Sequence, residues 1–102
     1  MSRKVVCMTE IRDMLILKET LKQMGHNFSE TNADVIEMQR SYNNIQFNVK
    51  TGEVSFDDAQ TQEVNKIKQA YAVNFYKDQA IKEGNQVQEV KRTNGEIEIR
   101  IL

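Results

Sequence analysis

The sequence predicts an α+β domain: a mainly antiparallel sheet with two helices packed on one face, in the order β-α-β-β-β-α-β-β. Three observations predict it. A long helical pattern begins near Asp57 and ends at Gly84, Val87 to Leu102 reads as a tight hairpin around Asn94-Gly95, and Ile45, Phe47 and Val49 alternate with polar residues. Strands joined by such short turns pair antiparallel, and the two helices then cover a single apolar face.

The first strand is β-prone Val5 to Ile11, with Val5, Cys7, Thr9 and Ile11 sharing one face. Asp13 is placed to cap a short amphipathic helix in which Met14, Leu17, Leu21 and Met24 recur at three- and four-residue steps, and Gly25 sits where such a helix ends. Between Asn27 and Met38 the apolar content is Val35, Ile36 and Met38, and a strand is predicted there. The next hairpin places Val49 opposite Val54, Phe47 opposite Phe56 and Lys50 opposite Glu53, so that apolar pairs share one face. A two-residue turn would force β-branched Thr51 to positive φ, so a four-residue loop in the same register fits equally well.

Asp57 or Asp58 caps the second helix, with Gln60 as the capping-box partner of Asp57. Running to about Glu83, this helix has roughly 26 residues and spans ~39 Å. Val64, Ile67, Tyr71, Phe75 and Ile81 form its apolar stripe, Ala70, Val73 and Ala80 widen it, and Asp78 and Lys82 are spaced for an ion pair. In the last hairpin a two-residue Asn94-Gly95 turn would pair Thr93 with Glu96, Arg92 with Ile97, Lys91 with Glu98, Val90 with Ile99 and Glu89 with Arg100. Charge pairs then occupy the solvent face, and Val90, Ile97, Ile99 and Ile101 a core face. The resemblance of the segments 49–54 and 91–97 is shared turn chemistry, not an internal repeat.

A chain of 102 residues makes one domain, 1–102, with one modest core. Apolar content of 39% with 28% charged residues, and no Pro-rich, Gly-rich or repetitive tract, predicts order almost end to end. Fourteen basic and fifteen acidic side chains leave a formal charge of −1, so no global field draws the chain to nucleic acid or an anionic membrane. Cys7 is the only cysteine and no apolar signal stretch follows Met1, so a reducing, cytoplasmic setting is expected. The longest apolar run, Met14-Leu15-Ile16-Leu17, is far below a membrane span.

Tyr71-Ala72-Val73, the run Gln79 to Gly84, Val87 to Val90, and Asn94-Gly95-Glu96-Ile97 to Ile101 resemble the end of the small proteins called hypothetical chloroplast open reading frame thirty-five. That family occurs in cyanobacteria, algal plastids, other bacteria and some phages. The first strand, the helix ending Leu21 to Gly25, and Ala33-Asp34-Val35-Ile36 are compatible with the same pattern, so the resemblance spans most of the chain. Two departures stand out: Met1-Ser2-Arg3-Lys4 replaces the family's Met-Ser-His-Phe opening, and Val54 to Asp58 replaces a longer aromatic stretch. The family carries no established activity. The resemblance implies a binding or adaptor role, with a AAA-type ATPase complex as one partner, and a plastid stroma or phage-host cytoplasm as settings alongside the bacterial cytoplasm.

No Gly-rich phosphate loop, zinc ligand set or catalytic triad is present in the sequence, so neither an enzyme nor a cofactor is expected. His26 lacks a second histidine and reads as a solvated loop residue, and Cys7 as a buried structural thiol. Glu53, Asp57 and Asp58 could gather around a hard cation, but a helix N-terminus disfavours one and capping explains Asp57 and Asp58. Glu30, Asp34 and Glu37 read as a solvated strand face.

The function expected is therefore protein binding, to another protein or to the chain's own copies, through one sheet face and the outer side of the long helix. The candidate contact residues are Tyr42, Lys66, Tyr76 and Lys77. The alternative is a nucleic-acid-binding domain. It would stack bases on a sheet face near Tyr42 and draw phosphates to Lys66, Lys68, Lys77, Lys82, Lys91 and Arg92. Glu63, Asp78, Glu83, Glu89 and Glu98 interleave with those cations as on an ordinary solvated face, which ranks this reading second.

Overall fold

A computed structural model describes residues 3–39, 44–91 and 95–101. In chain order it has β1 (Lys4–Met8), α1 (Met14–Gln23), β2 (Phe28–Asn32), β3 (Val35–Met38), β4 (Ile45–Asn48), β5 (Glu53–Asp57), a 3-10 turn (Asp58–Gln60), α2 (Thr61–Lys82), β6 (Val87–Lys91) and β7 (Ile97–Ile101). The fold is α+β, as the sequence predicts. The segment read as one strand between Asn27 and Met38 folds back on itself as β2 and β3, because Asn32 Oδ1 accepts a hydrogen bond from Asp34 N at 2.8 Å and builds a tight turn.

Five strands form one antiparallel sheet in the order β1-β5-β4-β3-β2, while β6 and β7 pair separately. Strands β2 to β5 are a meander. Helix α1 carries the chain from β1, at one end of the sheet, to β2 at the other. Period-two alternation turns Ile36, Met38, Ile45, Phe47, Val54 and Phe56 to one face, where Ile16, Leu17 and Leu21 of α1 and Val64, Ile67 and Tyr71 of α2 cover them. Burying each such Leu, Ile or Val side chain contributes about 1.5–3 kcal/mol.

Both helices begin and end as their sequences direct. The Asp13 side chain accepts from Ile16 N at 3.1 Å, and Asp57 and Gln60 form the expected capping box at the start of the 3-10 turn that leads into α2. His26 N donates to Leu21 O and Asn85 N to Ala80 O, each at 2.9 Å, which closes the ends at Gly25 and Gly84. The two helices are clasped by Asn74, whose amide donates to Thr20 Oγ1 at 2.9 Å and Gln23 Oε1 at 3.0 Å.

Four further expectations are corrected. In the β4–β5 hairpin Phe47 faces Val54, and Asn48 faces Glu53, a shift of two residues from the predicted pairing that leaves both faces intact. Thr51 is not forced to positive φ because Gly52 takes it, at φ +85°, after Asn48 Oδ1 has accepted from Lys50 N at 3.0 Å. Val49 thereby leaves the strand for the turn but stays buried.

The final hairpin is slipped by one residue. Val90 faces Glu98, Glu89 faces Ile99 and Lys91 faces Ile97, with Arg92, Thr93 and Asn94 outside the described residues. The deciding interaction is tertiary. This register puts Ile97 and Ile99 against α2 and on the same side as Glu89, which meets Lys77 of α2 at 3.0 Å. The expected pairs Glu89–Arg100 and Lys91–Glu98 are therefore replaced, Arg100 lying 3.5 Å from Glu98 on its own strand.

The hairpin's apolar side also stands apart from the core. Val87, Ile97 and Ile99 are half-buried and none belongs to the main cluster, while Val90, opposite Glu98, lies on the other face. Ile81 is likewise not core: it is 62% exposed, because at this end of α2 the hairpin covers the side that carries Ala80 and not the side that carries Ile81.

Candidate functional site

Three aromatic rings of α2 run from core to solvent. Tyr71 is buried, and its phenol oxygen accepts from the backbone N–H groups of Asp13 at 3.1 Å and Arg12 at 3.3 Å. A phenol inside an apolar stripe needs such a partner, the one sequence signal by which this tie could be read. Phe75 stacks on Tyr71 with centroids 6.1 Å apart, and Tyr76 meets the edge of Phe75 at 5.8 Å and 81°. Tyr76 itself is 63% exposed.

Tyr76 stands between two clefts. One lies between α2 and the hairpin, lined by Ala72, Val73, Gln79, Ala80, Ile97 and Ile99. The other lies between α2 and the segment after β1, lined by Thr9, Glu10, Ile11, Lys68 and Tyr71. Ala72, Phe75 and Tyr76 line both, so the two form one continuous, mainly apolar strip. The slipped register is what brings Ile97 and Ile99 into it, placing the hairpin's apolar side within this surface and not away from it.

The other candidate residues are dispersed. At about 100° per residue, Lys66 and Lys77 share one side of α2 about three turns apart, whereas Lys68 and Lys82 lie on the opposite side. Lys77 is held by Glu89. Lys82 Nζ donates to Asp78 at 2.9 Å, and that hydrogen bond and charge raise the lysine pKa above its ordinary value. Lys66 lines a shallow polar hollow with Met24, His26, Ala59, Gln62 and Glu63. Tyr42 lies outside the described residues.

The outer sheet face presents Lys4, Val6 and Met8 of β1, Glu53, Ser55 and Asp57 of β5, Gln46 and Asn48 of β4, and Val35 and Glu37 of β3. Among the described residues that face carries no aromatic side chain and more carboxylates than cations. Tyr42, on which the nucleic-acid reading rests its base stacking, is not among those residues.

The remaining titratable groups have structural surroundings. His26 is not a solvated loop residue: its side chain is 17% exposed, with Nδ1 3.8 Å from Glu63 Oε1, because the helix-ending turn folds it against α2. Cys7 is half-buried against the core. Asp57 is 5% exposed and serves as a cap, and Glu53 stands at the other end of β5 from it. Glu30 pairs with Lys18 of α1, and Glu37 accepts from Asn44.

No described helix is long and apolar enough to cross a membrane. No protein-family model, curated protein or solved structure matches the chain.

Proposed function

We propose that this chain is a small non-enzymatic protein-binding or adaptor domain whose contact surface is the apolar strip centred on Tyr76. The observation that carries this reading is the exposure of Tyr76 at the junction of two clefts that share Ala72 and Phe75. A tyrosine standing on a packed aromatic neighbour offers contact area at little entropic cost, as interface hot spots do. The partner suited to it presents an apolar segment with cationic or amide flanks, since Glu10, Gln79 and Glu83 line the rim. The family resemblance supports the same reading, with a AAA-type ATPase complex as the partner class and a reducing cytoplasmic compartment as the setting.

The test is capture of a reproducible partner from the native cell, followed by affinity measurement with the purified pair. Tyr76→Ala is expected to weaken binding by at least about tenfold, the loss of one hot spot. Lys66→Ala, away from the strip, should leave it unchanged. Equal affinity of Tyr76→Ala and the unaltered chain would remove this surface from the function.

A further inference from the structure

The two end strands of the main sheet are treated very differently. Strand β2 is polar, Phe28-Ser29-Glu30-Thr31-Asn32, its pairing is broken between Glu30 and Asn32, and Glu30 is tied to Lys18. Charge and irregularity of this kind keep a sheet edge from pairing with another chain. Strand β1 has one charge, Lys4 at its start, and no irregularity. It is regularly paired with β5 along its whole length, and its outward-facing Val6 and Met8 are 55% and 63% exposed. Their neighbours across β5 are Ser55 and Glu53, so no apolar side chain of the same face covers them.

The hydrogen-bonding parity of β1 is set by its ties to β5. Arg3 O accepts from Asp58 N and Thr9 N donates to Gly52 O, both at 2.8 Å, so odd-numbered residues bond inward. The backbone groups of Lys4, Val6 and Met8 consequently point to the open edge.

From this we infer that β1 is a self-association edge, pairing antiparallel with β1 of a second copy about a two-fold axis at Cys7. Only even-numbered residues can exchange bonds across that edge, which limits the registers. An axis at Val6 would set Lys4 against Met8, and an axis at Val5 would set Lys4 against Val6. An axis at Cys7 sets Val6 against Met8 of the second copy twice over, and brings Lys4 beside Glu10, in the bend just past β1, at both ends. Lys4 and Glu10 are both exposed. This register alone buries all four apolar side chains against one another and flanks them with opposite charges, the self-complementarity that a closed dimer requires. The two sheets become one, with both sets of helices on the same side. A single strand pair is a small interface, so the dimer is reversible and of micromolar order.

The axis also predicts the position of the chain's only cysteine. Cys7 faces Cys7 of the second copy in a non-hydrogen-bonded pair, where Cα atoms stand about 4.5 Å apart, within disulfide reach. Diamide, which takes up the two electrons and two protons of the thiol pair, is therefore expected to cross-link the dimer through this residue.

The edge shares Glu10 with the rim of the Tyr76 surface but not Val6 or Met8, and the substitutions at Val6, Met8 and Tyr76 make the two readings fail separately. Sedimentation of the whole chain over a concentration series should show a monomer–dimer equilibrium, and diamide should yield a covalent dimer on a non-reducing gel. Val6→Lys and Met8→Lys, both at exposed positions, should each abolish dimer and cross-link while leaving the circular dichroism unchanged, and likewise the Tm taken at dilutions where the unaltered chain is monomeric. Tyr76→Ala should leave both intact. A chain that stays monomeric at every concentration overturns the inference. So does a dimer that survives both lysine substitutions, or one lost in Tyr76→Ala, since its interface would lie elsewhere.

Discussion

Gly52 is the residue on which two parts of the sheet close. It sits at φ +85°, and a Cβ there would stand 2.3 Å from Thr9 O. Its own carbonyl accepts both Thr9 N at 2.8 Å and Thr9 Oγ1 at 2.7 Å, so the β4–β5 turn is fastened to the end of β1. Gly52→Ala combines a left-handed alanine with displacement of buried hydrogen bonds, and should lower stability by about 2–4 kcal/mol. Gly25→Ala is the control: φ is +78° with nothing within 4 Å, and only the conformational cost of about 1–2 kcal/mol remains. Urea unfolding of both variants measures the difference, and equal losses would show that the Thr9 approach contributes nothing. The sequence marks Gly52 as a turn residue but says nothing of Thr9, because their meeting depends on β1 returning beside β5. The Asn74 clasp and the Tyr71 phenol tie likewise join segments far apart in the chain.

Element by element, what could be read in advance is what short-range chemistry decides. Helix α1 begins at its expected Asp13, and Asp57 caps the 3-10 turn that leads into α2, since the capping partners lie within three residues. Asp57→Ala should lower stability by about 1–2 kcal/mol while Asp57→Asn retains most of it, both read by urea unfolding. A full loss in Asp57→Asn would mean that charge and not the cap geometry is at stake. Strand faces were legible from alternation, registers were not. The β4–β5 register moved because Thr51 handed the left-handed position to Gly52. The last hairpin slipped because Ile97, Ile99 and Glu89 answer to α2 and not to their partners across the strand. An Asn-Gly pair sets the place of a turn, and the helix lying against the hairpin sets which residues face it. The sequence places Tyr76 on the outer side of the long helix, whereas the clefts on either side of it arise from three separate segments.

The molecule as a whole divides into a packed sheet-and-helix body and a lightly held extension. Its radius of gyration is 14.5 Å, against about 13 Å for a chain of this length, and its extents are 47 × 34 × 23 Å. The excess comes from the second half of α2 and the hairpin, which have one helix face between them instead of a core. Amide hydrogen exchange should report two tiers: β3, β4, β5 and α1 protected to the level of global unfolding, β6 and β7 lower by at least about tenfold. Uniform protection would show that the hairpin opens only with the body. The crossing of α1 from one end of the sheet to the other has a consequence of its own in time. Strands β2 to β5 meet through neighbouring turns, whereas β1 joins β5 across the whole intervening sequence, Lys4 to Asp57. Loop closure of that length makes this seam the slowest to form. A chain emerging from the ribosome thus holds its first strand in waiting until its fifth has been synthesised.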